Sequence, residues 1–252
     1  MITTTDGDRM IVLGALTLIC AIAWAYLAYM GWGMAHMDVG ATMAVMPQMV
    51  SWGPIDVALV FAMWSIMMVA MMLPSAAPTI LLFAALRRRA VHSRALPDVT
   101  VFVAGYVATW MVFSLLASLM QWGLLEVRLV SPLMVAASPV LGGGLLLAAG
   151  VFELTPLKEA CLVKCRNPAS FIASHWRKGM CGAFAMGIRH GLYCVGCCWL
   201  LMLLLFVLGV MNLIWIALLS ALVLVEKILP NPRWFRTIAG CAFIGWGIAL
   251  LV

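Results

Sequence analysis

Hydrophobic positions in this chain run in long unbroken blocks and rarely alternate with polar ones. The blocks cover residues 10–32, 55–86, 98–124, 133–155, 181–208, 211–229 and 235–252. A bilayer core takes roughly 20 helical residues to cross. The pattern therefore predicts an all-α fold: a polytopic membrane helix bundle of about seven transmembrane helices, forming one transmembrane domain over residues 1–252. The last block is short, so six crossings with a peripheral C-terminal helix is the alternative. The stretch from Trp32 to Pro54 is expected to connect the first two spans and to include an interfacial helix. Pro74 and Pro78 fall inside the second block, where proline removes an i→i−4 bond, kinks the helix and releases carbonyls at depth.

Composition narrows the class further. Hydrophobic residues make up 66% of the chain and charged residues 10%, which excludes an ordinary soluble domain. The net charge of +6 then reads as topology, and nucleic acid is not an expected partner. Arg87, Arg88, Arg89 and Arg94 follow the second block; Lys158, Lys164, Arg166, Arg177 and Lys178 follow the fourth; Lys227, Arg233 and Arg236 follow the sixth. The first connection has no basic residue and the third only Arg128. By the positive-inside rule the N-terminus is cytoplasmic, and with seven spans the C-terminus is external. The expected location is a bacterial inner membrane, with lipid as the first partner. No small-residue cleavage site clearly follows residues 10–32, so the first block reads as a retained span and not as a signal peptide. Eight cysteines do not make a secreted disulfide scaffold here, because most sit inside spans or in a loop that reads as cytoplasmic.

Sulfur is the candidate chemistry. Twenty methionines occur in 252 residues, many of them in the run Met63-Trp64-Ser65-Ile66-Met67-Met68-Val69-Ala70-Met71-Met72-Leu73-Pro74. Methionine fills irregular helix packing, but a thioether is also an uncharged soft ligand that suits Cu(I). Met63, Met67 and Met71 share one stripe at i, i+4 and i+8, and Trp64, Met68 and Met72 form the adjacent one. The fifth span carries His190, Cys194, Cys197 and Cys198 within about a 100° arc. Gly187 and Gly191 form a GxxxG face beside that arc, admitting a neighbouring helix to backbone contact. Cys is also a small hydrophobe in a tight seam. Three thiols within five residues, four residues after a His, favour a soft metal site.

Two further groups extend the sulfur set. His36 and Met37, with Met34, Met43, Met46 and Met49, form an expected external entry segment. Cys161 and Cys165, at i and i+4, share a face in the loop after the fourth span, which reads as cytoplasmic. C-x3-C alone is a weak metal signal, and reduced structural thiols are the equal alternative. Arg189 lies inside the fifth span, with Glu153 as its expected partner. No P-loop, H-E-x-x-H, G-x-S-x-G or C-x-x-C-H motif occurs. The acidic residues, mostly near span ends, leave little for a carboxylate relay.

From Leu154 through Lys227 the motifs combine. Thr155-Pro156-Leu157-Lys158, Cys161 with Cys165, Gly187 with Gly191, Cys194-Val195-Gly196-Cys197-Cys198-Trp199, Gly209-Val210-Met211-Asn212 and Glu226-Lys227 together resemble an uncharacterised bacterial family of predicted metal-binding integral-membrane proteins. The Met-rich second helix with Pro74 resembles the same family. The resemblance implies an integral-membrane fold and metal binding; the choice of copper comes from ligand softness. The expected function is therefore a copper(I)-binding inner-membrane protein for transport, delivery or cofactor holding, with metal and a membrane enzyme or a second copy as partners. The alternatives are an accessory subunit of a larger membrane copper enzyme and a thiol-redox oxidoreductase.

Overall fold

The computed structural model describes residues 3–36, 53–91, 96–127, 138–229, 231 and 233–252. The apolar blocks fold as helices: α1 (Thr3–His36), α2 (Pro54–Val91), α3 (Leu96–Glu126), α4 (Pro139–Leu154), α5 (Pro156–Arg166), α6 (Pro168–His175), α7 (Gly179–Leu203), α8 (Leu205–Leu208), α9 (Leu213–Ile228) and α10 (Arg233–Leu251). No strand occurs among the described residues. With no water in a bilayer core, closing every backbone bond within one segment is the solution open to a helical chain.

Five segments are long and apolar enough to cross a membrane: Arg9–Gly33, Pro54–Arg88, Leu96–Glu126, Gly179–Leu208 and Arg233–Leu251. α4 and α5, bent by 65° at their junction, add a sixth if the pair is taken as one span. The expectation of about seven spans meets its difficulty at α9, which has only 16 residues, roughly 24 Å of helix. The C-terminal segment expected to be marginal does form a helix of crossing length. The fourth block, expected to end in a cytoplasmic loop, bends by 65° at Thr155-Pro156 into a further helix instead. Pro156 opens α5, and the Thr155 hydroxyl accepts from the Lys158 amide as its N-cap.

α2 continues as one unbroken helix of 38 residues with both prolines inside it. Pro74 has no N–H for the carbonyl of Ala70, and the indole of Trp24 on α1 donates to that oxygen instead, at 3.2 Å. The next carbonyls are also met from neighbouring helices. Ser220 of α9 donates to Met71 O at 3.4 Å, and Tyr106 of α3 donates to Met72 O at 3.0 Å. The weak point of the longest helix is thus where α1, α3 and α9 attach to it.

Small residues set the other contacts. The expected Gly187/Gly191 face packs against α3, where a Cβ on Gly187 would strike the Phe102 carbonyl and one on Gly191 the Thr109 side chain. α4 and α10 meet in the same way: a Cβ on Gly150 would come within 2.7 Å of the Gly240 carbonyl, and one on Gly247 within 2.9 Å of that of Gly143. Gly209, with φ at 93°, takes the left-handed turn that lets α9 run back beside α2.

Where α4, α5, α9 and α10 meet, the interior is ionic. Lys158 is completely buried and pairs with Glu153 and, at 2.8 Å, with Glu226. Arg236 pairs with Glu159 and donates to the Glu153 carbonyl. Glu153 therefore partners Lys158, and not Arg189 as expected, because the bend after Leu154 carries Lys158 back over it. Arg189 is exposed. Acidic residues near span ends are in this case drawn into the core.

Candidate metal centre

α7 turns its sulfur face inward. His190, Cys194, Cys197 and Cys198 are all buried, as one helical face of that width requires. The Cys197 and Cys198 thiols fold back along the helix and donate to the Cys194 carbonyl at 3.1 and 2.9 Å. That leaves the Cys194 sulfur projecting from the face toward the neighbouring helices.

α2 approaches from one side. Met63, Met67, Met68, Met71 and Met72 are all buried, and Met72 reaches the thiols, its sulfur 3.9 Å from Cys198 Sγ. Met63 stands nine residues earlier, roughly 13 Å back along the axis. A stripe of that length cannot close on one ion, so the helix-two methionines divide into Met72 at the cluster and the others leading away from it.

α5 approaches from another side, and here the sequence reading needs correction. Cys161 and Cys165 do not lie in a solvated loop; they sit on α5, which packs along α7. Cys165 is buried in the same core cluster as Cys194, Cys197 and Cys198. Cys161 Sγ stands over Gly196, 2.9 Å from where a Cβ would be. The missing side chain at Gly196 is what lets α5 come this close. Cys181, by contrast, is exposed, and Cys20 and Cys241 lie elsewhere in the bundle.

Three polar groups complete the surroundings, and pattern reading found none of them. Tyr106 places its hydroxyl 3.2 Å from Cys194 Sγ. Lys227, at the end of α9, places Nζ 3.0 Å from the same sulfur and 2.8 Å from the Ser75 hydroxyl. In the sequence Lys227 reads only as a basic residue after the sixth block and as part of the Glu226-Lys227 motif, neither of which places it beside Cys194. Tyr106 carried the weaker sign of a hydroxyl in the middle of a span.

His190 lies one turn before Cys194 within an aromatic wall of Phe102, Tyr106 and Phe171. Its Nδ1 is buried and has no hydrogen-bond partner among the described residues. The expected entry segment lies outside the described residues from Met37 onward, including Met43, Met46 and Met49; of its backbone, His36 closes α1.

The donor set is soft: thiols from two helices and a thioether from a third. Among the described residues, no three His, Cys, Asp or Glu side chains converge closely enough to enclose a metal ion. A tetrahedral zinc site needs four such ligands. Cu(I) is satisfied by two or three soft donors, thioethers among them, so the chemistry of the set fits copper better than zinc.

Neither a curated protein nor a solved structure shows a detectable match to the chain. The family described as PpoB2, copper chaperone, matches residues 61–250, a stretch that holds α2 from Phe61 onward and every thiol of the cluster. The chain belongs to this copper chaperone family.

Proposed function

We propose that this protein receives Cu(I) inside the bilayer on the thiols of Cys194 and Cys165, with Met72 beside them, and hands it to a copper-requiring partner. The observation that carries the reading is the packing of α5 on α7, which buries Cys165 in one core cluster with Cys194 and Cys197 and stands Cys161 Sγ over Gly196. Thiols on separate helices form a coordination shell only where packing brings them together, and a soft uncharged thioether at 3.9 Å adds the ligand type that distinguishes copper from harder ions.

In this reading Met63, Met67, Met68 and Met71 line the approach, and His36 and Met37 meet the ion first on the external face. Cys197, Cys198 and His190 form the wall of the site, and Cys161 takes the ion onward at the edge of α5. Affinity rises from thioether to thiolate along that route. The setting is a bacterial inner membrane with the N-terminus in the cytoplasm, as the Arg and Lys placement favours. A chaperone must also let go, which the half-buried Cys161 at the border of the cluster serves.

Anaerobic loading of the purified protein with Cu(I), followed by elemental analysis and sulfur-shell X-ray absorption, tests the reading. Sulfur-only ligation lost in Cys194→Ser and in Cys165→Ser is the expected result. Wild-type protein that retains no copper after loading overturns it.

A further inference from the structure

The Lys227 ammonium is the least explained group in the interior. It is buried, and among the described residues no carboxylate pairs with it. The adjacent Glu226 turns instead to Lys158, at 2.8 Å, and Glu153 faces Lys158 as well. What Lys227 does contact is the Ser75 hydroxyl, which is neutral, and the Cys194 sulfur at 3.0 Å. A buried ammonium demands a negative partner, and a thiolate is the one group of its neighbours able to provide that charge at a metal centre.

Resting on the copper reading above, we propose that Lys227 is the residue that makes this site select a monovalent over a divalent metal ion. Charge counting carries the argument. When Cu(I) binds Cys194 and Cys165, their two thiol protons pass to water and both sulfurs end as thiolates. The metal with its two ligands then carries one negative charge, and Lys227 beside it restores neutrality. A divalent ion on the same two thiolates is already neutral, which leaves the ammonium uncompensated in a low-dielectric interior. A third thiolate would restore the balance for a divalent ion. The arrangement does not supply it: Cys197 and Cys198 are turned onto the Cys194 carbonyl, and no three such ligands converge among the described residues. Selectivity thus comes from a fixed positive charge as well as from ligand softness.

The test uses the full chain in detergent, loaded anaerobically with equal Cu(I) and Zn(II), and reads the bound ratio by elemental analysis. Lys227→Met keeps the length of the side chain and removes its charge, and it is expected to lower the Cu-to-Zn ratio by about tenfold or more, the effect of one poorly compensated charge. Lys227→Arg keeps the charge and is expected to hold the ratio near the wild-type value. A folded Lys227→Met protein with the wild-type ratio overturns the proposal. So does a collapsed ratio in Lys227→Arg, which remains decisive if the Met variant does not fold. Wild-type protein that binds no Cu(I) overturns the copper reading itself, a result separate from normal Cu(I) binding with an unchanged ratio in the variants.

Discussion

Trp24 of α1 and Ala70 of α2 are joined by a hydrogen bond that exists because of Pro74: the indole N–H takes the carbonyl that the proline cannot serve, at 3.2 Å. Trp24→Phe keeps most of the packing and removes the donor. A carbonyl left without a partner away from water costs about 1 to 3 kcal/mol. The variant should melt at lower temperature in detergent while binding copper as the wild type does; an unchanged melting temperature would show that water reaches Ala70.

Met72 and Met63 belong to the same run but not to the same place. Met72→Leu should weaken Cu(I) binding, measured by competition with a cuprous chelator, because it removes the thioether beside Cys198. Met63→Leu should leave the binding constant alone and slow the loading rate, since the proposed route places that side chain on the approach. Met-to-Leu exchange usually costs less than about 1.5 kcal/mol of stability, so both proteins should fold. Equal effects on affinity would refute the division.

Gly196→Ala puts a methyl 2.9 Å from Cys161 Sγ, closer than van der Waals contact. The crowding should cost about 1 to 3 kcal/mol and push α5 outward at that point. Maleimide labelling should then reach Cys161 faster than in the wild type, with Cys165 still protected. Unchanged labelling would mean that the sulfur swings aside while α5 stays in place.

Lys158→Met leaves Glu153 and Glu226 buried with a shared counter-charge removed, a loss of about 3 to 5 kcal/mol. The single variant should express poorly or melt early. Combining it with Glu153→Gln and Glu226→Gln should recover most of the loss, because no uncompensated charge then remains. A triple variant as unstable as the single one would show that the ionic character itself is required.

Much of this centre could be read from periodicity. The inward face of α7 follows from the spacing of His190, Cys194 and Cys198, and its glycine seam follows from Gly187 and Gly191. What the pattern concealed was long-range. Lys158, Glu159, Lys164 and Arg166 make residues 156–166 look like a solvated loop, yet Lys158 is neutralised by Glu153 and Glu226 from two other helices. Cancellation of that kind is a property of the assembled bundle, and no local window contains it. The position of Lys227 beside Cys194 likewise depends on how α9 lies against α2 and α7. Five helices, or six with the bent α4–α5 pair taken as one span, are long and apolar enough to cross a membrane, because Thr155-Pro156 breaks the fourth block and α9 has only 16 residues.

The break at Thr155-Pro156 has one more consequence. Because proline has no N–H, α5 is not an extension of α4 through the helical ladder, and its angle is fixed mainly by Lys158 and its carboxylates. α7 is held by close backbone packing at its glycines. One wall of the sulfur cluster is therefore anchored chiefly by a buried ion-pair network and the other by the shape of a glycine seam, so the two walls yield to different kinds of substitution.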